Sequence, residues 1–273
     1  MTRPRPTIGV FDSGFGGLTV LKALLEVIPE ADYVYFGDTA RLPYGSKSVE
    51  TVARYAVEAS RFLDAHRAAL LVIACNTATA LALDQITAAA QVPVVGVVEP
   101  GAGAAASVSK NRKVVVVGTE ATVSSHAYRK ALEARGLRAH EKACPLLVPL
   151  VEEGWVEHPV TEQVARIYLE EAFSDDFGDA DALVLGCTHY PLLKPLLRRV
   201  APKHVSIVDS AESTAHVVSA KLGTLSKSPV EQERRSLPRL KFFATDSVEK
   251  FRRLGQRFLG HSIEYVEHVD LKE

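Results

Sequence analysis

Cysteine is scarce in this chain of 273 residues; the three present are widely spaced and odd in number, which speaks against a disulfide framework. Neither sign of charge dominates. The 32 Lys+Arg stand against 33 Asp+Glu for a formal net charge of -1, so the basic excess of a general nucleic-acid binder is missing. Long apolar runs are missing too: the longest, Ala68 to Cys75, falls far short of the ~20 residues that span a bilayer. The basic start Met1–Pro6 leads into an apolar stretch broken by Asp12, not into the core of an export signal. A cytoplasmic chain with reduced thiols, no membrane segment and no nucleic-acid partner is therefore expected. Tandem repeats and low-complexity tracts are absent, and the length suffices to bury a core without staples.

What is present is alternation. Short β-branched runs at Thr7–Phe11, Tyr33–Phe36, Leu70–Ala74, Val94–Val98, Val114–Gly118, Ala182–Leu185 and Val205–Val208 read as strands, several apolar on both faces. Helical spacing marks Leu18–Val27, Val49–His66, Thr77–Ala90, Thr122–Arg135, Thr161–Phe173 and Leu192–Val200. This order predicts an α/β fold with mainly parallel sheets. Leu225–Arg239, rich in Ser, Pro and charge, reads as a flexible surface segment.

A longer-period echo runs through the chain. Leu71–Thr77 (LVIACNT) and Leu183–His189 (LVLGCTH) share one plan: a buried strand, a small residue, a Cys, then polar residues opening a helix. A second pair, Ile8–Gly14 and Val115–Thr119, repeats the strand and its polar exit at a similar offset. Two related α/β halves facing each other across a cleft are expected, with strand-to-helix junctions lining it as ligand sites. The tail beyond Asp209 should pack back on the first half.

A thiol at a strand's C-terminal end, opening a helix, sits among backbone N–H groups and the positive end of the helix dipole. That placement predicts a pKa lowered from about 8.5 toward neutrality. Such a thiol serves as a general base when ionised and a general acid when protonated. Two of them on opposite walls, Cys75 and Cys187, would remove a proton from one face of a carbon and deliver one to the other, inverting a stereocentre. The α-hydrogen of an amino acid is a very weak acid, so either dense hydrogen bonding to its carboxylate or a cofactor such as pyridoxal phosphate must stabilise the carbanion. Nothing here points to a Schiff-base lysine, and polar neighbours beside each Cys fit the first option. Both cysteines equally fit buried packing, the common state of a free Cys. Cys144, ahead of Pro145 and an apolar run, reads as packing only. Zinc on Cys75, Cys187 and His189 would lack both a CxxC element and a fourth ligand, so no metal is expected.

Weaker clusters accompany the thiols. Asp12–Gly17 (DSGFGG) is a strand-to-helix turn that resembles a phosphate cradle without GxGxxG order or a P-loop Lys; Asp12 reads either as a helix cap or as a carboxylate that orients a thiol or holds an ammonium group. Pro43-Tyr44-Gly45-Ser46 is an ordinary turn or a lip whose N–H groups bind a carboxylate. His189 is a capping or solvated residue, or an aid to proton transfer by Cys187. Glu152 and Glu153 fit an exposed helix start.

Together these segments resemble the glutamate racemase family, cofactor-independent enzymes that make D-glutamate for bacterial peptidoglycan. The resemblance rests on Ile8–Gly17, Tyr35–Lys47, Ala74–Thr79, Gly96–Pro100, Gly118–Ser124, Val148–Gly154 and Leu185–Pro191, in family order up to about Ser210, and it thins beyond. It implies that Cys75 and Cys187 are the acid/base thiols, with Asp12 supporting Cys75, His189 supporting Cys187, and Glu152 a further catalytic carboxylate. It implies substrate contacts from Asp12, Ser13, Pro43, Tyr44, Gly45, Cys75, Asn76, Thr77, Thr119, Thr122, Cys187, Thr188 and His189. It also implies two three-layer α/β domains, residues 1–98 plus 210–273 and residues 99–209, with glutamate between them, no cofactor and a homodimer. Related two-cysteine racemases act on aspartate or hydantoins. A non-catalytic amino-acid-binding protein with two lobes, or a nucleotide-dependent enzyme using Asp12–Gly17, are rivals of other classes.

Overall fold

Unbroken runs of β-branched and apolar residues make strands, and apolar residues recurring every three or four positions make helices. In the computed structural model, which describes residues 5–225 and 237–271, the chain begins with β1 (Thr7–Asp12), α1 (Leu18–Val27), β2 (Asp32–Gly37), α2 (Val49–Ala65), β3 (Leu70–Ile73), α3 (Asn76–Ala89) and β4 (Val94–Gly96). It continues through α4 (Val98–Val108), β5 (Lys113–Gly118), α5 (Glu120–Ser124), α6 (Ala127–Glu133), β6 (Arg138–Ala143), α7 (Leu147–Glu152), α8 (Pro159–Ala172) and β7 (Ala182–Gly186). It ends with α9 (Lys194–Val200), β8 (Ser206–Asp209), α10 (Ser210–Leu225), β9 (Leu240–Ala244), α11 (Val248–Leu259) and β10 (Glu267–His268). Most of the Leu225–Arg239 segment, and the basic start at residues 1–4, lie outside the described residues.

Two sheets form, in the orders β10-β9-β2-β1-β3-β4 and β6-β5-β7-β8, and every described ladder is parallel. The run β2-β1-β3-β4 has the same order as β6-β5-β7-β8, so the echo in the sequence corresponds to one topology built twice. Cys75 follows β3 and Cys187 follows β7, equivalent strands of the two sheets. Beyond α10 the chain returns to the first sheet, where β9 pairs with β2.

Each sheet is covered on both faces. Phe11, Leu71 and Ile73 meet α2 and α3 through Val52, Leu63 and Ala78. Val114 and Val184 meet α4 and α6 through Val98, Ala102 and Leu132. A third apolar cluster runs through both sheets, from Val10, Tyr35 and Val72 to Val117, Leu183 and Leu185, and takes in α1, α8, α9 and α11. No described helix is long and apolar enough to cross a membrane.

Several sequence expectations shift. The expected strand Val94–Val98 stops at Gly96, because Val98 opens α4. That helix is built from small residues (VEPGAGAAASV) with little periodic contrast, and a methyl at Gly101 would sit 3.2 Å from Ser210 Cβ and the Tyr128 hydroxyl. The helix expected over Thr122–Arg135 breaks into α5 and α6 at His126, whose φ of 54° is left-handed and whose Nδ1 lies 2.7 Å from Glu141 Oε2. β6 (RAHEKA) is an edge strand too polar to be read as one.

Buried tyrosines tie the sheets to their loops. Tyr35 donates to the Gly14 carbonyl at 3.0 Å, Tyr190 to the Cys144 carbonyl at 2.8 Å, and Tyr128 to Asn76 Oδ1 at 2.6 Å. The last joins α6 of one unit to α3 of the other. Tyr128→Phe would leave Asn76 Oδ1 buried without that donor, and is expected to cost about 1–3 kcal/mol. A thermal unfolding midpoint several degrees below wild type checks this; an unchanged midpoint contradicts it.

Candidate active site

The first wall grows from β1 and β3. Asp12 ends β1 and is buried, with Oδ2 accepting the Gly14 N–H at 2.9 Å. Gly17 has no room for a side chain: a methyl there would lie 2.5 Å from Asp12 Cβ and 2.9 Å from Ala74 Cβ. The amides of Gly14 and Gly17 serve the Asp12 carboxylate, so the turn does not cradle a phosphate. Burial raises the Asp12 carboxyl above the usual carboxylate range, against the opposing charge of His189 and those amides.

Cys75 caps α3, its sulfur accepting the Ala78 N–H at 3.4 Å while its thiol donates to Ser13 Oγ at 3.5 Å. The position is the expected one, but the pKa moves opposite to the expected lowering. Burial, and then the charge of Asp12, push the thiol up to about 12, and its hydrogen bonding with Ser13 and the Ala78 amide offsets only part of this. Desolvation of a thiolate in a closed apolar wall outweighs one helix terminus.

The second wall follows β7. Cys187 is buried, and a one-turn 3₁₀ segment, Tyr190–Leu193, comes before α9, so this thiol does not cap an α-helix directly. Its sulfur lies 3.9 Å from His189 Nδ1. On the far side of the ring, Nε2 is 3.3 Å from Glu152 Oε1, whereas Glu153 is exposed. Burial alone would lower the imidazole, but its close contacts with Cys187 and Glu152, and their charges, raise it from 6.5 to about 10. A folded-state value above the unfolded one stabilises fully below pH ~6.5 and is lost as pH rises through about 10. Urea unfolding of wild type and His189→Asn should therefore differ most below about pH 6.5, with the gap shrinking from there and closing through pH 10. A gap independent of pH would contradict the pairing.

The walls meet along a polar seam. Thr77 Oγ1 is 2.9 Å from Thr119 Oγ1 and 3.2 Å from Thr122 Oγ1, joining α3 to α5. The Pro43–Gly45 lip lies against Thr119, where a methyl at Gly45 would come within 2.8 Å of Thr119 Cβ. Pro43 is exposed, and Tyr44 turns inward to bond the buried Asp38, so the lip can offer the site its backbone. Gly16 abuts the other wall: a methyl there would stand 2.7 Å from His189 Nδ1 and closer still to Thr188 Oγ1. Asp12 Oδ1 and Asn76 Nδ2 are buried without a protein partner, as befits groups that meet a ligand. The single turn Asp12–Gly17 thus touches Cys75 through Ser13 and the Cys187 loop through Gly16.

Cys144 is buried in the apolar core, as expected. Among the described residues no three His, Cys, Asp or Glu side chains converge to hold a metal ion. Two contributors were not singled out in the sequence. Asp38 accepts from Thr245 at 2.9 Å and from Arg41 at 2.7 Å and so anchors the lip; it lies inside the Tyr35–Lys47 stretch. Lys250, 3.1 Å from Glu152 Oε2, comes from α11 and leaves no local signal.

The family model described as Asp/Glu/Hydantoin racemase matches residues 8–218. A glutamate racemase from Koribacter versatilis is 60% identical over 289 aligned residues, covering 99% of each chain. A glutamate racemase isoform from Bacillus anthracis superposes with a TM-score of 0.90 at 38% identity, covering 98% of this chain and 99% of that one. The Francisella tularensis glutamate racemase solved in complex with D-glutamate superposes at 0.88 with 35% identity and 98% coverage of both. Paired thiols after equivalent strands of a duplicated sheet, and similarity along the full length, lead to one conclusion: the chain belongs to the Asp/Glu/hydantoin racemase family, among its glutamate racemases.

Proposed function

We propose that the chain interconverts L- and D-glutamate without a cofactor, Cys75 and Cys187 acting on opposite faces of the α-carbon. The observation that carries this reading is the Asp12–Gly17 turn, which holds Ser13 on the Cys75 sulfur and Gly16 against Thr188 and His189. His189 presents an imidazolium to Cys187 up to about pH 10, a partner for a thiolate. Cys75, raised to about 12, rests as the thiol. In one direction the Cys187 thiolate takes the α-proton, and the C–H electron pair passes into the α-carboxylate. The Cys75 thiol then delivers its proton to the opposite face. In the reverse direction Asp12 assists loss of the Cys75 proton, Cys75 abstracts, and Cys187 donates. Hydroxyls of Ser13, Thr77, Thr119, Thr122 and Thr188, the Asn76 amide and the lip amides at Tyr44 and Gly45 hold the carboxylates, where preorganised donors favour the carbanion.

In this reading Glu152 keeps His189 charged, residues 1–98 plus 210–273 and residues 99–209 act as two lobes around the substrate, and the product supplies D-glutamate for peptidoglycan. A cytoplasmic homodimer fits the family pattern, and the three free, buried thiols suit a reducing compartment. Circular dichroism of L-glutamate incubated with purified, dialysed protein should decay to zero, with little decay for L-aspartate. Faster decay with L-aspartate, or saturable glutamate binding without decay, would overturn the assignment.

A further inference from the structure

The Cys187 wall does not end at His189 and Glu152. Helix α11, far downstream of both residues in sequence, lays two side chains on that pair from a single face. Lys250 Nζ lies 3.1 Å from Glu152 Oε2, and the Phe258 ring meets the His189 ring edge-on at 5.2 Å between centroids. Positions eight apart fall on one broad face of a helix. That face is anchored by buried Phe251, Leu254 and Phe258, and the Lys250 ammonium is also 5.4 Å from the centroid of the Phe15 ring, in the turn that bridges the thiols. Glu152 closes the short helix α7 and is only partly buried, so one of its oxygens needs a second partner if the other is to stay on His189.

We propose that Lys250 is a positioning residue for the Cys187 half of the reaction: by holding Glu152 Oε2 it keeps Oε1 on His189, and His189 on the Cys187 sulfur. This rests on the racemase reading above. The charged and titratable groups facing the pair are Asp12 and Cys187 toward His189, Lys250 toward Glu152, and Arg257 against the neighbouring Gly154, with Glu153 exposed beside them. Lys250 touches neither reacting atom, so its effect must pass through Glu152.

The test compares wild type, Lys250→Met, Lys250→Arg, Glu152→Gln and the double variant Glu152→Gln/Lys250→Met. Lys250→Met should lower kcat about fivefold, the scale of a partly exposed ion pair, with KM held within about twofold. The basic limb of its pH profile should move to lower pH, because His189 loses a fixed carboxylate, and Lys250→Arg should restore both. In the Glu152→Gln background, Lys250→Met should add no further loss. The titration of the His189 imidazole, followed by NMR, should also move to lower pH in Lys250→Met, a result independent of turnover. Failure of the wild type to racemise would therefore end the parent reading and leave this coupling measurable. An unmoved imidazole titration, a Lys250→Met loss repeated in full on Glu152→Gln, or no rescue by arginine would each overturn the role.

Discussion

Cys75→Ala and Cys187→Ala are each expected to lower racemisation by about 10³-fold or more, because in the proposed mechanism each removes one of the two acid/base groups. The losses should be similar although the surroundings differ. Burial and Asp12 push Cys75 up to about 12, and in the proposed mechanism that carboxyl assists loss of its proton. Cys187 works beside an imidazole raised to about 10. Neither variant should unfold: each loses one sulfur from a buried site, about 1 kcal/mol on the scale of small apolar deletions. Cys75→Ser and Cys187→Ser, which keep a polar atom of similar size, separate loss of the thiol from loss of packing. Far-ultraviolet circular dichroism and a thermal midpoint near wild type would show that chemistry alone was lost. Turnover retained by either alanine variant would remove that residue from the mechanism.

Gly16→Ala should have the next largest effect, about 10²-fold in kcat, without touching any acid/base group. The backbone there is not in the left-handed region, so alanine is conformationally acceptable. Space is what fails, since the added methyl would press on Thr188 Oγ1 and stand 2.7 Å from His189 Nδ1. The easiest relief moves the ring away from the Cys187 sulfur, already 3.9 Å distant, or tilts it off Glu152. Displacements of this size are costly because proton transfer depends steeply on distance and alignment. The basic limb of the pH profile should fall together with kcat. A variant with wild-type kcat would show that the turn yields instead, and that the contact between the walls does not set His189.

Much of this arrangement was legible because local and global signals agree. Apolar runs around Val72 and Val184 could only be strands covered on both sides, and the Cys after each stands at an equivalent place in its sheet. The repeated strand order explains why the two segments look alike. Illegible features depend on distant partners. β6 is charged because only its β5 side is paired, and α4 is small-residue-rich because α10 and Tyr128 press on Gly101. The break at His126 is accompanied by an ion-pair contact with Glu141, a residue of β6. The Cys75 thiol is governed by the depth of its burial and by Asp12, neither visible in the sequence around it. Asp38 and Lys250 enter the site only once β9 and α11 have returned to the first sheet.

Mass spectrometry of both enantiomers, separated after brief incubation of unlabelled L-glutamate with the protein in deuterium oxide, probes the pair of bases directly. Newly formed D-glutamate should carry one deuterium on its α-carbon while remaining L-glutamate stays almost unlabelled, since the sulfur that removes a proton is not the one that returns it. Deuterium appearing equally in both enantiomers from the first turnovers, or D-glutamate that keeps its original hydrogen, would mean that one base serves both faces.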